Sequence, residues 1–165
     1  MATARNGFVK FGSFEGEATD KKHANWSILY SVSAPITRAT GGFEQSERGV
    51  GSTAVSNVVV VKDLDSASVK LQKACATGQL LPTVQVDLCT TVAGGTSPFL
   101  TYAFENVIIT HYDLQDPRTP DQLLPMEKVA FTYTKATWTY VKYGDDGSSK
   151  GKVSESYTIG STSGS

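Results

Sequence analysis

Period two dominates this chain. From Trp26 the apolar residues recur as Trp26, Ile28, Tyr30, Val32, Ala34 and Ile36, with Ser27, Ser31, Ser33 and Thr37 between them. That is the spacing of a half-buried β-strand, whose successive side chains point to opposite faces; Leu29 is the one apolar residue on the second face. Val84, Val86 and Leu88 alternate with Gln85 and Asp87 in the same way. Val129, Phe131 and Tyr133 begin a third series, whose apolar set shifts phase to Ala136, Trp138 and Tyr140. A one-residue phase shift is what a β-bulge produces, so a bulge is expected near Lys135. Two further strands are apolar on both faces. One is the run Val58 to Val61; in the other, Phe104 and Ile108 share one face and Val107 and Ile109 the other. Such strands need cover on both sides, from the core on one and from a helix or another subunit on the other. Phe8 to Phe11 opens the fold.

One helix stands out. Asp65 or Ser66 can cap it and Gly78 can close it in the left-handed conformation. Between them Ala67, Leu71, Ala74 and Cys75 share a face, with Lys70 and Lys73 away from it. About three turns long, it suits a plug or lid over a small barrel. Gly94-Gly95 before Ser97-Pro98 reads as a hairpin turn. Asp113 to Pro125 is a polar loop. Ala39 to Ser52 is a longer, Gly-rich connection, and a loop of that length usually has a function. After Tyr143 a Gly-Asp-Asp-Gly-Ser-Ser turn leads to Val153, Glu155, Tyr157 and Ile159, a possible edge strand, and then to a Gly-Ser-rich end expected to be flexible. The domain boundaries expected are 1–143 for the barrel and 144–165 for the turn, edge strand and tail.

A chain of 165 residues can bury about 70% of its unfolded surface, enough for one core without staples. Acids and bases nearly cancel, 16 against 15, and no basic stripe points to nucleic acid. A near-neutral surface permits self-association. No apolar run is long enough for a membrane span, and Met1 to Lys10 lacks the apolar core of a signal peptide. Cys75 and Cys89 are expected to be free, buried thiols of a protein made in the cytoplasm.

The densest polar cluster is Glu15-Gly16-Glu17-Ala18-Thr19-Asp20-Lys21-Lys22-His23. Glu15, Glu17, Asp20 and His23 could bind a metal or form an acid–base pair. However, His111 is the only other histidine and has no ligand partner at recognisable spacing. A turn explains the cluster better: Gly16 supplies backbone freedom and Asp20 accepts from nearby amides. No serine sits in a Gly-x-Ser-x-Gly setting. Cys75 and Cys89 lie in apolar surroundings where thiols are inert. Gly49-Val50-Gly51-Ser52 lacks the lysine of a phosphate loop, and Asp145-Asp146-Gly147 lacks the spacing of a calcium loop. The aromatics from Phe131 to Tyr143 could stack sugars or bases, but alternation accounts for them as core and interface. The residues thus point to no enzyme, no cofactor and no metal.

Phe8-Val9-Lys10-Phe11, the turn Gly16-Glu17-Ala18-Thr19-Asp20-Lys21-Lys22-His23 and the strand from Trp26 stand in order before Asp63-Leu64-Asp65-Ser66-Ala67-Ser68, Leu71 to Cys75 and Gly78. Together they resemble the haemolysin-coregulated protein (Hcp) family, the tube proteins of bacterial type VI secretion. Phe99 to Thr110 and Glu127 to Tyr140 resemble later strands of that family, and the likeness runs from about Phe8 to Tyr143. It makes Gly16, Glu17, Asp20 and His23 the signature turn, and Asp65, Ser66 and Gly78 the helix caps. It implies a mainly β fold, a small β-barrel of two facing antiparallel sheets with one flanking α-helix. The protein would be a structural one, in homohexameric rings that stack into a hollow tube. The implied partners are the contractile sheath, the spike tip protein and small effector proteins, with no nucleic acid and no membrane insertion. Assembly would be cytoplasmic, and export would run through the type VI system. Thr40, Gly41, Gly42, Phe43, Glu44, Glu47, Arg48 and Gly51 of the long loop would reach a neighbouring subunit or ring. The alternatives are a phage-like tail-tube protein with nearly the same assembly, and a monomeric barrel that binds a small ligand through its aromatics.

Overall fold

Strand β1 (Asn6–Phe11) turns Val9 and Phe11 into the core and Phe8 to the opposite side. It pairs antiparallel with β2 (Ser27–Ser33) on one edge and with β6 (Leu80–Val92) on the other. A hairpin follows β2, made of β3 (Ile36–Thr40) and β4 (Val50–Val55), and then come β5 (Val58–Asp63) and helix α1 (Ser68–Thr77). After β6 the chain forms β7 (Gly95–Gln115), β8 (Met126–Thr132), β9 (Lys135–Tyr143) and β10 (Ser149–Thr158). This computed structural model describes residues 6–40, 50–93, 95–116 and 125–160.

The strand order β7–β6–β1–β2–β5–β8 closes because β8 also pairs with β7. The two expected facing sheets are therefore one continuous antiparallel barrel, and closure removes its edges. On the edge away from β6, strand β7 serves two partners. Its second half, Ile108–Gln115, pairs with β8, while Leu100–Glu105 pairs with β9, from which β10 extends as an outer edge. Phe11, Val60, Val84, Phe104 and Phe131 fill the interior, and α1 adds Leu71 and Ala74. Each of these valine, leucine and phenylalanine side chains contributes about 1.5–3 kcal/mol of burial.

The structure corrects several expectations about which way side chains face. In β2 it is Ser27 and Leu29 that are buried, while Ile28 and Tyr30 face solvent. The cause is a bulge. Leu29 lies opposite Lys62 and Ser31 opposite Val61, so Tyr30 is the extra residue, and only beyond it do Val32 and Ala34 turn to the core. In β7, Phe104, Val107 and Ile109 all point inward and Ile108 outward. Asn106 takes a left-handed φ of 53° between them and flips the phase. Across from it the chain breaks at Tyr133–Thr134, between β8 and β9. The phase shift expected from a bulge near Lys135 is thus a paired corner. Thr134 donates its amide to Glu105 O at 3.0 Å, and Asn106 Nδ2 donates to Thr134 Oγ1 at 3.1 Å. Both strands change phase together, so Glu105–Lys135 and Ile108–Thr132 keep one register.

Val58 and Val60 are fully buried and Val59 and Val61 half-buried. Cys75 on α1 is half-buried, and both cysteines are free. The flanks of the expected Ala39–Ser52 loop are strands: Thr40 in β3 pairs with Val50 in β4, which also holds Gly51. Gly41, Gly42, Phe43, Glu44, Glu47 and Arg48 lie outside the described residues, as do residues 117–124 of the Asp113–Pro125 segment and residues 161–165.

Candidate functional site

The segment from Gly12 to Trp26 lies over the outer face of β1 and β6. Gly12 leaves β1 at φ 53° and donates its amide to Thr83 O at 2.8 Å. Backbone bonds Gly16 N–Asn25 O (2.8 Å), Ala18 N–Trp26 O (2.9 Å) and Asn25 N–Ala18 O (2.9 Å) zip the two arms together. Gly16 is needed for this approach, since a Cβ there would sit 2.5 Å from Trp26 O. The tip is an Asx-type turn in which Asp20 Oδ2 accepts from Lys22 N at 3.0 Å and Asp20 O from His23 N at 3.2 Å.

This turn delivers His23 into a small second core with Phe8, Ala18, Trp26 and Cys89. The ring is 2% exposed. It stacks on Phe8 at 4.3 Å and 5°, and meets Trp26 edge-on at 4.8 Å and 87°. Nδ1 lies 2.8 Å from Asp20 Oδ2 and Nε2 lies 2.8 Å from Asp87 Oδ2. The other Asp87 oxygen accepts from Gln85 Nε2 at 3.1 Å and from Thr101 Oγ1 at 2.9 Å. Both ring nitrogens face carboxylate oxygens, and only the doubly protonated ring donates to both. The hydrogen bond from His23, its largest influence, holds the Asp20 carboxyl below the usual carboxylate range.

A cysteine, a histidine and a carboxylate in one cluster suggest a thiol nucleophile, but the geometry opposes one. Cys89 Sγ is 4.0 Å from a nitrogen already engaged by Asp87. The thiol is fully buried, and burial, with the charges of Asp87 and Asp20, pushes it up to about 12. An activated thiolate needs the opposite shift.

Of the four acidic and imidazole groups in the expected signature segment, only Asp20 and His23 come together; Glu15 and Glu17 face solvent. Among the described residues no group of three or more His, Cys, Asp or Glu is placed to hold a metal. Asp87 was missed from sequence, because the alternation of β6 assigns it to a solvent face and nothing local reveals that the first loop covers that face.

A second polar cluster sits at the start of α1. Ala67, one residue beyond the expected caps, immediately precedes the first helical residue. Asp65 closes the turn before it: Oδ1 accepts from Ala67 N at 3.0 Å, and its amide donates to Ser68 Oγ at 2.9 Å. Ser66 Oγ donates to Glu15 O at 2.7 Å, tying the first loop to the helix. Gly78 ends α1 at φ 69°. Below lies the buried pair Lys62–Glu127, with Asp65, Ser68 and Tyr112 around it.

Fold and site together define a closed β-barrel protein with one helix, whose two polar clusters are buried and hydrogen-bonded to the first loop and to the start of α1. The chain belongs to the Hcp family of type VI secretion: residues 8–140 match the family model described as "Type VI secretion system effector, Hcp". The "Major exported protein" of Pseudomonas aeruginosa is 34% identical over 110 residues, 63% of this chain and 63% of that protein. A solved type six secretion system protein superposes with TM-score 0.87 at 28% identity, covering 94% of this chain and 96% of that one. A type VI secretion effector from Yersinia pestis does so with TM-score 0.72 at 25% identity, covering 93% and 99%. Among the described residues no helix is long and apolar enough to cross a membrane.

The lowered Asp20 carboxyl has a consequence in acid. Its contribution to stability is complete above the ordinary value of 3.8 and is lost as pH falls through the lower folded value. Asp20→Asn is therefore expected to lower the urea midpoint at pH 7, and the gap from wild type is expected to shrink as pH falls below 3.8 and through the lowered folded value. A gap that persisted undiminished in acid would show that the charge of Asp20 contributes nothing.

Proposed function

We propose that this chain is a structural subunit of the type VI secretion inner tube. Copies close into homohexameric rings, the rings stack into a hollow tube that accommodates small effector proteins, and the tube is exported behind the spike tip by the contractile sheath. Assembly takes place in the cytoplasm, and the protein has no catalytic role. Family membership is the observation that carries this reading.

The surface supports it. Ile28 and Tyr30, the latter 63% exposed, stand on the outer face of β2 beside half-buried Val59 and Val61 of β5. They line one side of a groove of about 520 Å³ shared with Phe8, Ala18 and Asp20. β10 is the last strand of the order among the described residues, and its Val153 is 65% exposed. Two different surfaces on one copy suit head-to-tail association, and head-to-tail contacts with the right rotation close into a ring. Each contact would bury on the order of 2,000 Å². The packed interior argues against the alternative of a ligand-binding barrel, since Phe11, Phe104 and Phe131 occupy the space a ligand would need.

Electron microscopy of the purified protein is expected to show six-membered annuli with an open centre. A monodisperse monomer at high micromolar concentration would overturn the reading. Tyr30→Asp, which places a charge on the apolar face, is expected to convert annuli to monomers in sedimentation while the barrel's circular dichroism is unchanged. We assign Thr40, Gly41, Gly42, Phe43, Glu44, Glu47, Arg48 and Gly51 to contacts between rings. Shortening residues 41–51 should leave single rings and reduce tube length.

A further inference from the structure

We propose that the Asp20–His23–Asp87 chain is a proton-operated latch, which holds the first loop on the barrel and releases it when the His23 ring loses the Nε2 proton that it donates to Asp87. The inference rests on the geometry within one copy and is independent of the ring reading.

His23 joins two elements that nothing else in the cluster joins through charged groups. Asp20 belongs to the loop, whereas Asp87 belongs to β6, 64 residues from His23 in sequence. With a proton on each nitrogen, both 2.8 Å contacts are charge-assisted hydrogen bonds. With the Nε2 proton gone, a bare nitrogen lone pair faces the Asp87 carboxylate oxygen at that same distance, between side chains only 2% and 6% exposed. A buried polar contact of that kind is costly, and the negative charge of the two carboxylates is then no longer offset by the ring.

The neighbours offer no substitute proton donor. On β6, the Cys89 thiol is neutral and lies 4.0 Å from Nε2. On β7, Thr101 donates to the oxygen of Asp87 that faces away from the ring, and Gln85 of β6 does the same. Lys22 of the loop is directed to Ser97 Oγ at 2.7 Å, and Lys10 of β1 to Asn25 O at 3.3 Å. Glu15, Glu17 and Lys21 face solvent. Deprotonation at Nε2 is therefore relieved by lifting His23 and its turn away from Asp87, whereas loss of the Nδ1 proton leaves the bond to Asp87 in place and lets Asp20, 22% exposed, turn to water. The movement would unstack the ring from Phe8 and change the wall of the groove that Phe8, Ala18 and Asp20 share with Ile28 and Tyr30.

The test uses the full chain labelled with ¹⁵N-histidine, in which exposed His111 is the only other histidine and serves as internal reference. Hydrogen exchange of the Ala18, Asn25 and Trp26 amides reads loop closure. With the loop closed His23 is expected to show two protonated nitrogens. As pH rises, loss of the Nε2 proton should coincide with about a tenfold or greater fall in the protection of those three amides, after correction for intrinsic exchange. In Asp87→Asn the side-chain amide can donate to the bare nitrogen, so protection is expected to persist through the same pH range. Three results would each overturn the latch: a His23 without the Nε2 proton at neutral pH with the loop amides protected, loss of that proton on raising the pH without loss of protection, or both protons retained until the whole barrel unfolds. An Asp87→Asn variant that opened at the wild-type pH would do the same. The wild-type arm decides the matter even where that variant does not fold.

Discussion

Glu127→Ala is expected to lower the free energy of unfolding by about 3–5 kcal/mol, the range for breaking one partner out of a buried ion pair. Glu127 and Lys62 are both 0% exposed and face each other across β8 and β5. The Glu127 carboxylate accepts from the Lys62 ammonium, from Ser68 Oγ at 2.9 Å and from the Tyr112 hydroxyl. Burial, followed by the bond to Glu127, raises the Tyr112 hydroxyl well above its ordinary range, so it stays a donor. Removing Glu127 leaves a buried ammonium with only Asp65 Oδ1 at 3.1 Å and Asp63 O at 2.8 Å, and two hydroxyls without their acceptor. A typical domain has only about 5–15 kcal/mol of stability, so the loss takes a large share of it. The double variant Lys62→Met with Glu127→Leu should recover part of the deficit, because no ammonium is then buried; the remainder is the cost to Asp65, 5% exposed, of losing its cation, and to Ser68 and Tyr112 of losing their acceptor. Urea unfolding of the wild type and the two variants measures this. A single-variant loss below about 1 kcal/mol would mean that the cluster is solvated and does not pin the helix.

Phe131→Ala is expected to cost a similar amount, about 3–5 kcal/mol, through a different cause. Phe131 is fully buried and central, edge-on to Phe104 at 5.3 Å and 71° and to Phe11 at 6.1 Å and 86°. It thereby joins β1, β7 and β8 across the barrel. A closed sheet cannot collapse into the vacated space without breaking a strand pairing, so most of the cavity should remain. Phe131→Leu keeps much of the volume and should cost clearly less. Equal midpoints for the two variants in urea would show that the barrel relaxes around the gap.

Strand existence and the helix were legible in the sequence because period-two alternation and the Asp65 to Gly78 pattern are local signals. Facing was less legible. A single extra residue, Tyr30, reverses what Ile28 and Leu29 do relative to Val32, and whether an alternation contains a bulge is decided by the partner strand. The same limit hid Lys62. It continues the inward row of Val58 and Val60, yet a lysine at that position reads as solvent-facing until Glu127 is seen opposite it. The turn from Gly16 to His23 is legible as a turn from its own residues. Its contact with β6 depends on Asp87, which enters only through the pairing of β1 with β6.

The matched corner at Asn106 and Tyr133–Thr134 limits how chains of this kind can diverge. Because β7 and its two partners change phase at the same level, Phe104 still faces Ala136 and Ile109 still faces Phe131. One residue added to only one side would rotate Ala136 and Trp138 out of the protein for the rest of β9. Length differences among relatives should therefore collect at the β3–β4 tip, between β7 and β8 or past β10, and where they fall within the corner they should come as compensating pairs.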